Sequence, residues 1–163
     1  MSLEGKHALI TGSSRGIGRG IALALAEDGV KIAVHYYLNE SAANGTLAEV
    51  RKRGSDGLVV QADVSRPEQI TRMFRKFQAE FGKLDIFVSN ARPEVPAFFQ
   101  APMDITLDQW DTAFDSQAKA FLVGVREAIP DSITSRSALP ACPRASCSAR
   151  GFQVTACRCT LGR

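Results

Sequence analysis

The chain has 163 residues, 45% of them hydrophobic and 23% charged, which suits one soluble domain and leaves no length for a second. Its formal charge of +3 is unevenly placed: residues 1–129 carry 15 Lys+Arg against 16 Asp+Glu, while residues 130–163 carry five Arg against one Asp. The part with a fold signature is thus not basic, which argues against nucleic acid as a partner; no run approaches the roughly 18 apolar residues of a membrane span, and residues 1–6 lack an apolar signal segment, so the chain reads as cytoplasmic and without a membrane partner.

The first apolar run, His7-Ala8-Leu9-Ile10, reads as a strand and is followed by Thr11-Gly12-Ser13-Ser14-Arg15-Gly16-Ile17-Gly18 and a helical pattern. Strand, glycine turn and helix N-terminus arrive in the order that holds a phosphate: glycines reach backbone conformations closed to other residues, and the free N–H groups and positive end of the helix favour an anion. This context makes the motif a dinucleotide site; a structural turn in a βα unit is the other reading.

The helix spans about residues 15–28, with Ile17, Ile21 and Leu25 on one face and Gly29 as its natural stop. Lys31-Ile32-Ala33-Val34-His35-Tyr36 is a second strand. A helix over about residues 41–53 ends in Arg51-Lys52-Arg53 before Gly54, a basic cluster that complements the negative helix end on a solvated face. Leu58-Val59-Val60-Gln61-Ala62 is the third strand, and Ser65-Arg66-Pro67-Glu68 reads as a capping box opening a helix whose core face carries Ile70, Met73, Phe77 and Phe81. A fourth strand lies in Leu84-Asp85-Ile86-Phe87-Val88-Ser89-Asn90-Ala91. The loop from Arg92 to Met103 carries Phe98 and Phe99, read as packing on the sheet edge in preference to walling a substrate site. A last helix opens at a second capping box, Thr106-Leu107-Asp108-Gln109, with Trp110, Phe114, Phe121 and Val125 along one side.

From Pro130 onward no period of 2 or 3.6 is sustained, and all four cysteines (Cys142, Cys147, Cys157, Cys159) fall there. Their spacing matches no usual zinc pattern and a disulfide scaffold suits a secreted chain, so no metal site is expected.

The Thr-Gly-x-x-x-Gly-x-Gly pattern near the start, with Ala62-Asp63-Val64 after the third strand and Ser89-Asn90-Ala91 after the fourth, resembles the short-chain dehydrogenase/reductase family, and within it the 3-oxoacyl-carrier-protein reductase-like members, over about residues 3–129. The resemblance implies an α/β fold: a Rossmann-like doubly wound parallel sheet of strand order 3-2-1-4, truncated, with an NADP-binding domain at 1–129 and an irregular tail at 130–163. It implies NADP(H) as cofactor, held by Gly12, Ser14, Arg15, Gly16, Ile17, Gly18, His35, Tyr36, Asp63, Val64, Asn90 and Ala91. It also implies a small-molecule carbonyl substrate and a homo-oligomer in which the last helix packs between subunits, so its aromatic stripe belongs either to that interface or to the protomer's own core. The edge of the fourth strand is expected to be exposed, with low stability and a tendency to associate.

The family's proton donor is the Tyr of a Tyr-x-x-x-Lys helix, a phenol whose pKa a nearby ammonium lowers. No such pair exists here: Tyr36 is followed four residues on by Glu40, and Tyr37 by Ser41. No catalytic residue is therefore assigned. Gln117 stands at the family's helix Asn, and Ser89 and Arg92 replace the first Asn and the Gly of its Asn-Asn-Ala-Gly element. The change of texture is expected to reflect a shifted reading frame near residues 128–130, or truncation and fusion to foreign sequence. Two functions remain, an NADP(H)-dependent carbonyl oxidoreductase and a non-catalytic dinucleotide-binding fragment or regulatory subunit.

Overall fold

The structure, a computed structural model, describes residues 2–92 and 100–129. The expectations for the Phe98–Phe99 loop and for the chain from Pro130, its cysteines included, lie outside the described residues.

Short β-rich runs become strands because both faces of each are apolar, the mark of a parallel sheet covered on two sides. They are β1 (His7–Ile10), β2 (Lys31–Tyr36), β3 (Gly57–Gln61) and β4 (Ile86–Val88), all parallel and arranged β3-β2-β1-β4, as the sequence implied. The helices between them are α1 (Gly16–Glu27), α2 (Glu40–Lys52) and α3 (Pro67–Phe81). Alternation along the strands divides the core in two. Ala8, Ile10, Ile32 and Val34 pack with Ala22, Ala26, Leu47 and Val50 of α1 and α2. Leu9, Ala33 and Val60 pack with Ile70, Met73, Phe74 and Phe77 of α3.

After β4, a 3₁₀ turn (Pro102–Asp104) precedes α4 (Leu107–Phe114), a π-turn (Asp115–Lys119) and α5 (Ala120–Ala128), and α5 packs on the α3 side of the sheet. At the lower end of the sheet Asp85 accepts from Lys6 Nζ at 2.9 Å and from the His7 N–H at 3.1 Å, tying the start of β1 to β4. Burial opposes ionisation of this carboxyl, but the Lys6 ammonium, the His7 N–H and Lys83 outweigh it and hold the group below its ordinary range.

Two local readings are corrected, and one left open is narrowed. The buried stripe of α1 is Gly18, Ala22 and Ala26, not Ile17, Ile21 and Leu25; Ile17 is 78% exposed. Small residues win because they bring the helix axis closer to the sheet, where Ile21 and Leu25 flank the contact half-buried. The capping box at Ser65 does not form: Arg66 is the N-cap without a side-chain bond, and Ser65 turns back to the Asp63 carboxylate. The second box does form, Thr106 and Gln109 bonding each other's backbone N–H. On α4 and α5 the aromatic stripe is not core among the described residues: Trp110, Phe114 and Phe121 are each more than half exposed.

Two glycines separate steric need from mere tolerance. A Cβ on Gly57 would fall on the Ile32 carbonyl of the adjoining strand, whereas a Cβ on Gly45, mid-helix in α2, would meet nothing within 4 Å. Gly57→Ala should cost about 1–3 kcal/mol through overpacking, and Gly45→Ala should add about 0.5–1 kcal/mol through helix propensity. Urea titration of the two variants beside the parent chain checks both signs.

Candidate functional site

All four strands point their carboxyl ends at one edge, the place where an open α/β sheet binds its ligand. There the ladders stop. Ile10 pairs with Val34 and Val88, and the chain then leaves the sheet, so the backbone groups of the next residues need other partners. Side chains supply them. Thr11 Oγ1 accepts from the N–H groups of Asn90 at 2.9 Å and Ala91 at 3.0 Å, and Asn90 Nδ2 donates to the carbonyls of Thr11 at 2.9 Å and Gly12 at 3.3 Å. Ser13 Oγ donates to the Ile10 carbonyl at 2.7 Å and accepts from the His35 N–H at 2.9 Å.

The glycine turn is shaped by contact as well as by φ. Gly12 has φ +68, and a Cβ there would lie 2.9 Å from Ala91 Cα; a Cβ on Gly18 would lie 2.5 Å from both Asn90 Nδ2 and the Gly12 carbonyl oxygen. Gly16 has φ +57 but faces open space: beyond its chain neighbours and the backbone of its own helix, no atom lies within 4 Å of its missing Cβ. This open space over the first turn of α1, where no acidic residue stands, leaves room for the phosphates of a dinucleotide at a helix N-terminus. Ser14 and Arg15 lie in the turn, and Thr46 of α2 fixes the Ser14 carbonyl at 3.1 Å. Ile17 is exposed beside them.

His35 is placed differently from the direct cofactor contact that the resemblance implied. It is 2% exposed and both ring nitrogens are engaged by backbone: the Gly12 N–H donates to Nδ1 at 2.8 Å, and Nε2 lies 3.0 Å from the Ala62 carbonyl. Because Nδ1 must accept, the ring is neutral with its proton on Nε2, which donates to Ala62. Burial, partly offset by the Ala62 bond, lowers its pKa to about 4. Tyr36 is also buried; burial first, and then the Glu40 carboxylate that its hydroxyl bonds, raise its phenol above the ordinary value.

After β3, Asp63 spends one carboxylate oxygen on Ser65, from the N–H at 2.9 Å and the hydroxyl at 2.7 Å, and its N–H donates to Gln69 Oε1 at 2.8 Å. Val64, Thr11, Ser89, Ala91 and Ser116 line one small cavity of about 10 Å³, about the room one water needs. The π-turn thus directs Ser116 into this edge of the sheet, while Gln117 is exposed. The structure brings Gly12, Gly18, His35, Asn90 and Ala91 together, while Tyr36 ends β2 and Asp63 follows β3. Sequence reasoning missed Thr11 and Ser13 as site-building residues. The available signal was a pair of hydroxyl residues, Thr11 and Ser13, within three positions of the end of an apolar strand, where ladder partners run out.

Comparison with known proteins agrees with this geometry. The short chain dehydrogenase family profile matches residues 6–138. The chain is 39% identical over 119 residues to a hydroxynaphthalene reductase-like protein of Metarhizium robertsii, covering 73% of this chain and 43% of that protein. It is 34% identical over 132 residues to a 3-oxoacyl-[acyl-carrier-protein] reductase of Staphylococcus aureus, covering 81% and 52%. Among solved structures, a short chain dehydrogenase from Burkholderia cenocepacia in complex with NADP superposes with a TM-score of 0.71 at 34% identity, over 78% of this chain and 51% of that one. The chain spans about half the length of the curated relatives it matches.

The His35 environment sets a pH dependence. The unfolded chain protonates this ring near 6.5 and the folded chain only near 4, so the unfolded state binds the proton first as pH falls. Its contribution is present in full above about pH 6.5 and is lost progressively down to about pH 4, by about 3 kcal/mol. Denaturant unfolding at pH 7, 5.5 and 4.5 should show this slope in the parent chain, and a His35→Asn chain should lack that component.

Proposed function

Given that the chain belongs to the short-chain dehydrogenase family, we propose that it is the dinucleotide-binding half of an NADP(H)-dependent carbonyl oxidoreductase, and that residues 1–163 bind the cofactor without turning over substrate. The observation that carries this reading is the glycine turn itself, with Gly12 and Gly18 packed on Asn90 and Gly16 facing open space at the first turn of α1, on a chain that has no Tyr-x-x-x-Lys. The bound cofactor would supply a hydride for a carbonyl of the 3-oxoacyl class. NADP-bound and reductase-named relatives support the cofactor and reaction class. Within this chain, the glycine turn and α1 bind the pyrophosphate, Asp63 and Val64 border the adenine, and Asn90 and Ala91 face the nicotinamide side.

Selection of the phosphorylated cofactor follows from what stands after β2. NAD-binding units of this kind place an acid about 20 residues after the glycine turn for the ribose 2′-hydroxyl. Here that position holds Tyr36, and the first acid beyond it, Glu40, is engaged by the Tyr36 hydroxyl. Ser14 and Arg15 in the turn are the residues assigned to the 2′-phosphate. The other reading, a non-catalytic regulatory subunit, is favoured by the same missing Tyr-x-x-x-Lys and shares the binding step. No helix of the described residues is long and apolar enough to cross a membrane.

Fluorescence titration of purified chain with NADPH should give saturable binding, and NADPH oxidation with 3-oxoacyl thioesters, ketones and quinones should stay at background, since loss of positioned acid–base chemistry alone costs about 10²–10⁴-fold. Turnover at the rate of intact relatives overturns the non-catalytic assignment. NADP(H) should bind more tightly than NAD(H), and Arg15→Ala should remove most of a difference of about 10- to 150-fold, the worth of one charged hydrogen bond, leaving NAD(H) affinity nearly unchanged. Equal affinity for the two cofactors in the parent chain, at one salt concentration, overturns the 2′-phosphate assignment.

A further inference from the structure

We infer that His35 is a positioning residue for the dinucleotide: its neutral ring clamps the glycine turn to the segment that follows β3, so that the phosphate side and the adenosine side of the site are set as one unit. The inference rests on the dinucleotide reading above and gives His35 a role that acts through backbone rather than through contact with the cofactor.

The clamp occupies the point where two ladders end at once. β1 pairs with β2 no further than Ile10 with Val34, and β2 pairs with β3 no further than Tyr36 with Gln61. Gly12 therefore has an N–H with no strand to receive it, and the chain after Gln61 leaves a carbonyl at Ala62 facing the same interior. The imidazole of His35 spans the gap, accepting from Gly12 N–H at 2.8 Å and bonding the Ala62 carbonyl at 3.0 Å. Ser13 completes the exchange: its N–H donates to the His35 carbonyl at 3.1 Å and its hydroxyl accepts the His35 N–H at 2.9 Å.

A histidine that only filled core volume could be exchanged for leucine at modest cost. This one cannot on hydrogen-bond grounds, because leucine would strand the Gly12 N–H and the Ala62 carbonyl together, and unmet buried groups are costly. Gly12 is also the residue whose φ of +68 and close approach to Ala91 define the turn. Releasing its N–H frees the turn to drift from the geometry that an anion needs, since backbone N–H groups bind phosphate only when they converge on it.

Two substitutions divide the clamp. In His35→Asn the amide oxygen takes the place of Nδ1 and still accepts from Gly12, without reaching Ala62. In His35→Leu both bonds are lost. Each chain is assayed by amide hydrogen exchange at Gly12 and by NADPH titration, at one neutral pH and one salt concentration. The asparagine chain should keep Gly12 protection and, because its link to the Ala62 carbonyl is cut, bind about threefold more weakly than the parent, a smaller loss than leucine causes. The leucine chain should lose protection and bind at least about tenfold more weakly, the effect of one unmet buried group. If the leucine variant does not fold, His35→Gln, whose longer arm puts its amide near Nε2 and leaves no acceptor at the Nδ1 position facing Gly12, takes its place with the same expectation.

A leucine or glutamine chain that protects Gly12 and binds like the parent overturns the inference, as does equal weakening in the asparagine chain, which would mark a packing role alone. Should the parent chain bind no NADPH, the dinucleotide reading fails by itself. The exchange arm still decides the clamp: loss of Gly12 protection with leucine but not asparagine supports it, and unchanged protection overturns it.

Discussion

Everything at the upper edge of this molecule follows from one constraint: backbone groups that leave a parallel sheet must still be hydrogen-bonded. β1 is only four residues long and β4 only three, so the ladders end early and several N–H and carbonyl groups emerge together in a half-buried place. Thr11, Ser13, His35 and Asn90 meet that demand with side chains. In doing so they hold the glycine turn, the end of β2, the segment after β3 and the segment after β4 in one network. The site is a by-product of satisfying the sheet's own ends.

The same network explains why glycine is required at some positions and only tolerated at others. Gly18 is glycine because the Asn90 amide and the Gly12 carbonyl occupy the room a methyl would need. That approach in turn allows Ala22 and Ala26 to lie flat on β1 and β2, with the bulkier Ile21 and Leu25 flanking. Helix, turn and sheet are therefore one packing problem, and a change at the turn is felt along α1. On the opposite face, Gly124 of α5 admits the Phe87 ring of β4 in the same way, a close approach that a Cβ would block.

The far side of the site has a different balance. α4 and α5 leave Trp110, Phe114, Phe121 and Leu122 at least half exposed, and β4 forms an edge of the sheet among the described residues. Trp110 and Phe114 stack on each other with ring centroids 5.7 Å apart, so part of this apolar area is covered by itself. The π-turn between the two helices shifts their register and sends Ser116 inward, next to Thr11 and Ala91.

The sequence by itself determined the strand and helix order, the strand arrangement 3-2-1-4, the glycine turn and the second capping box, because these follow from local periodicity, from turn chemistry and from the resemblance carried by residues 5–18 and 84–91. It also determined that no Tyr-x-x-x-Lys is present, a matter of counting two tyrosines. What only the tertiary structure decided is which face is buried and which polar group is spoken for. Ile21 and Ala22 are adjacent, only about 100° apart around the helix, so the choice of stripe on α1 depends on how closely the sheet can be approached. Ser65 could have capped α3, but its N–H and hydroxyl both go to the Asp63 carboxylate. His35, legible as a residue beside the cofactor, became a backbone clamp because Gly12 and Ala62, 23 and 27 positions away along the chain, converge on it only once three strands lie side by side.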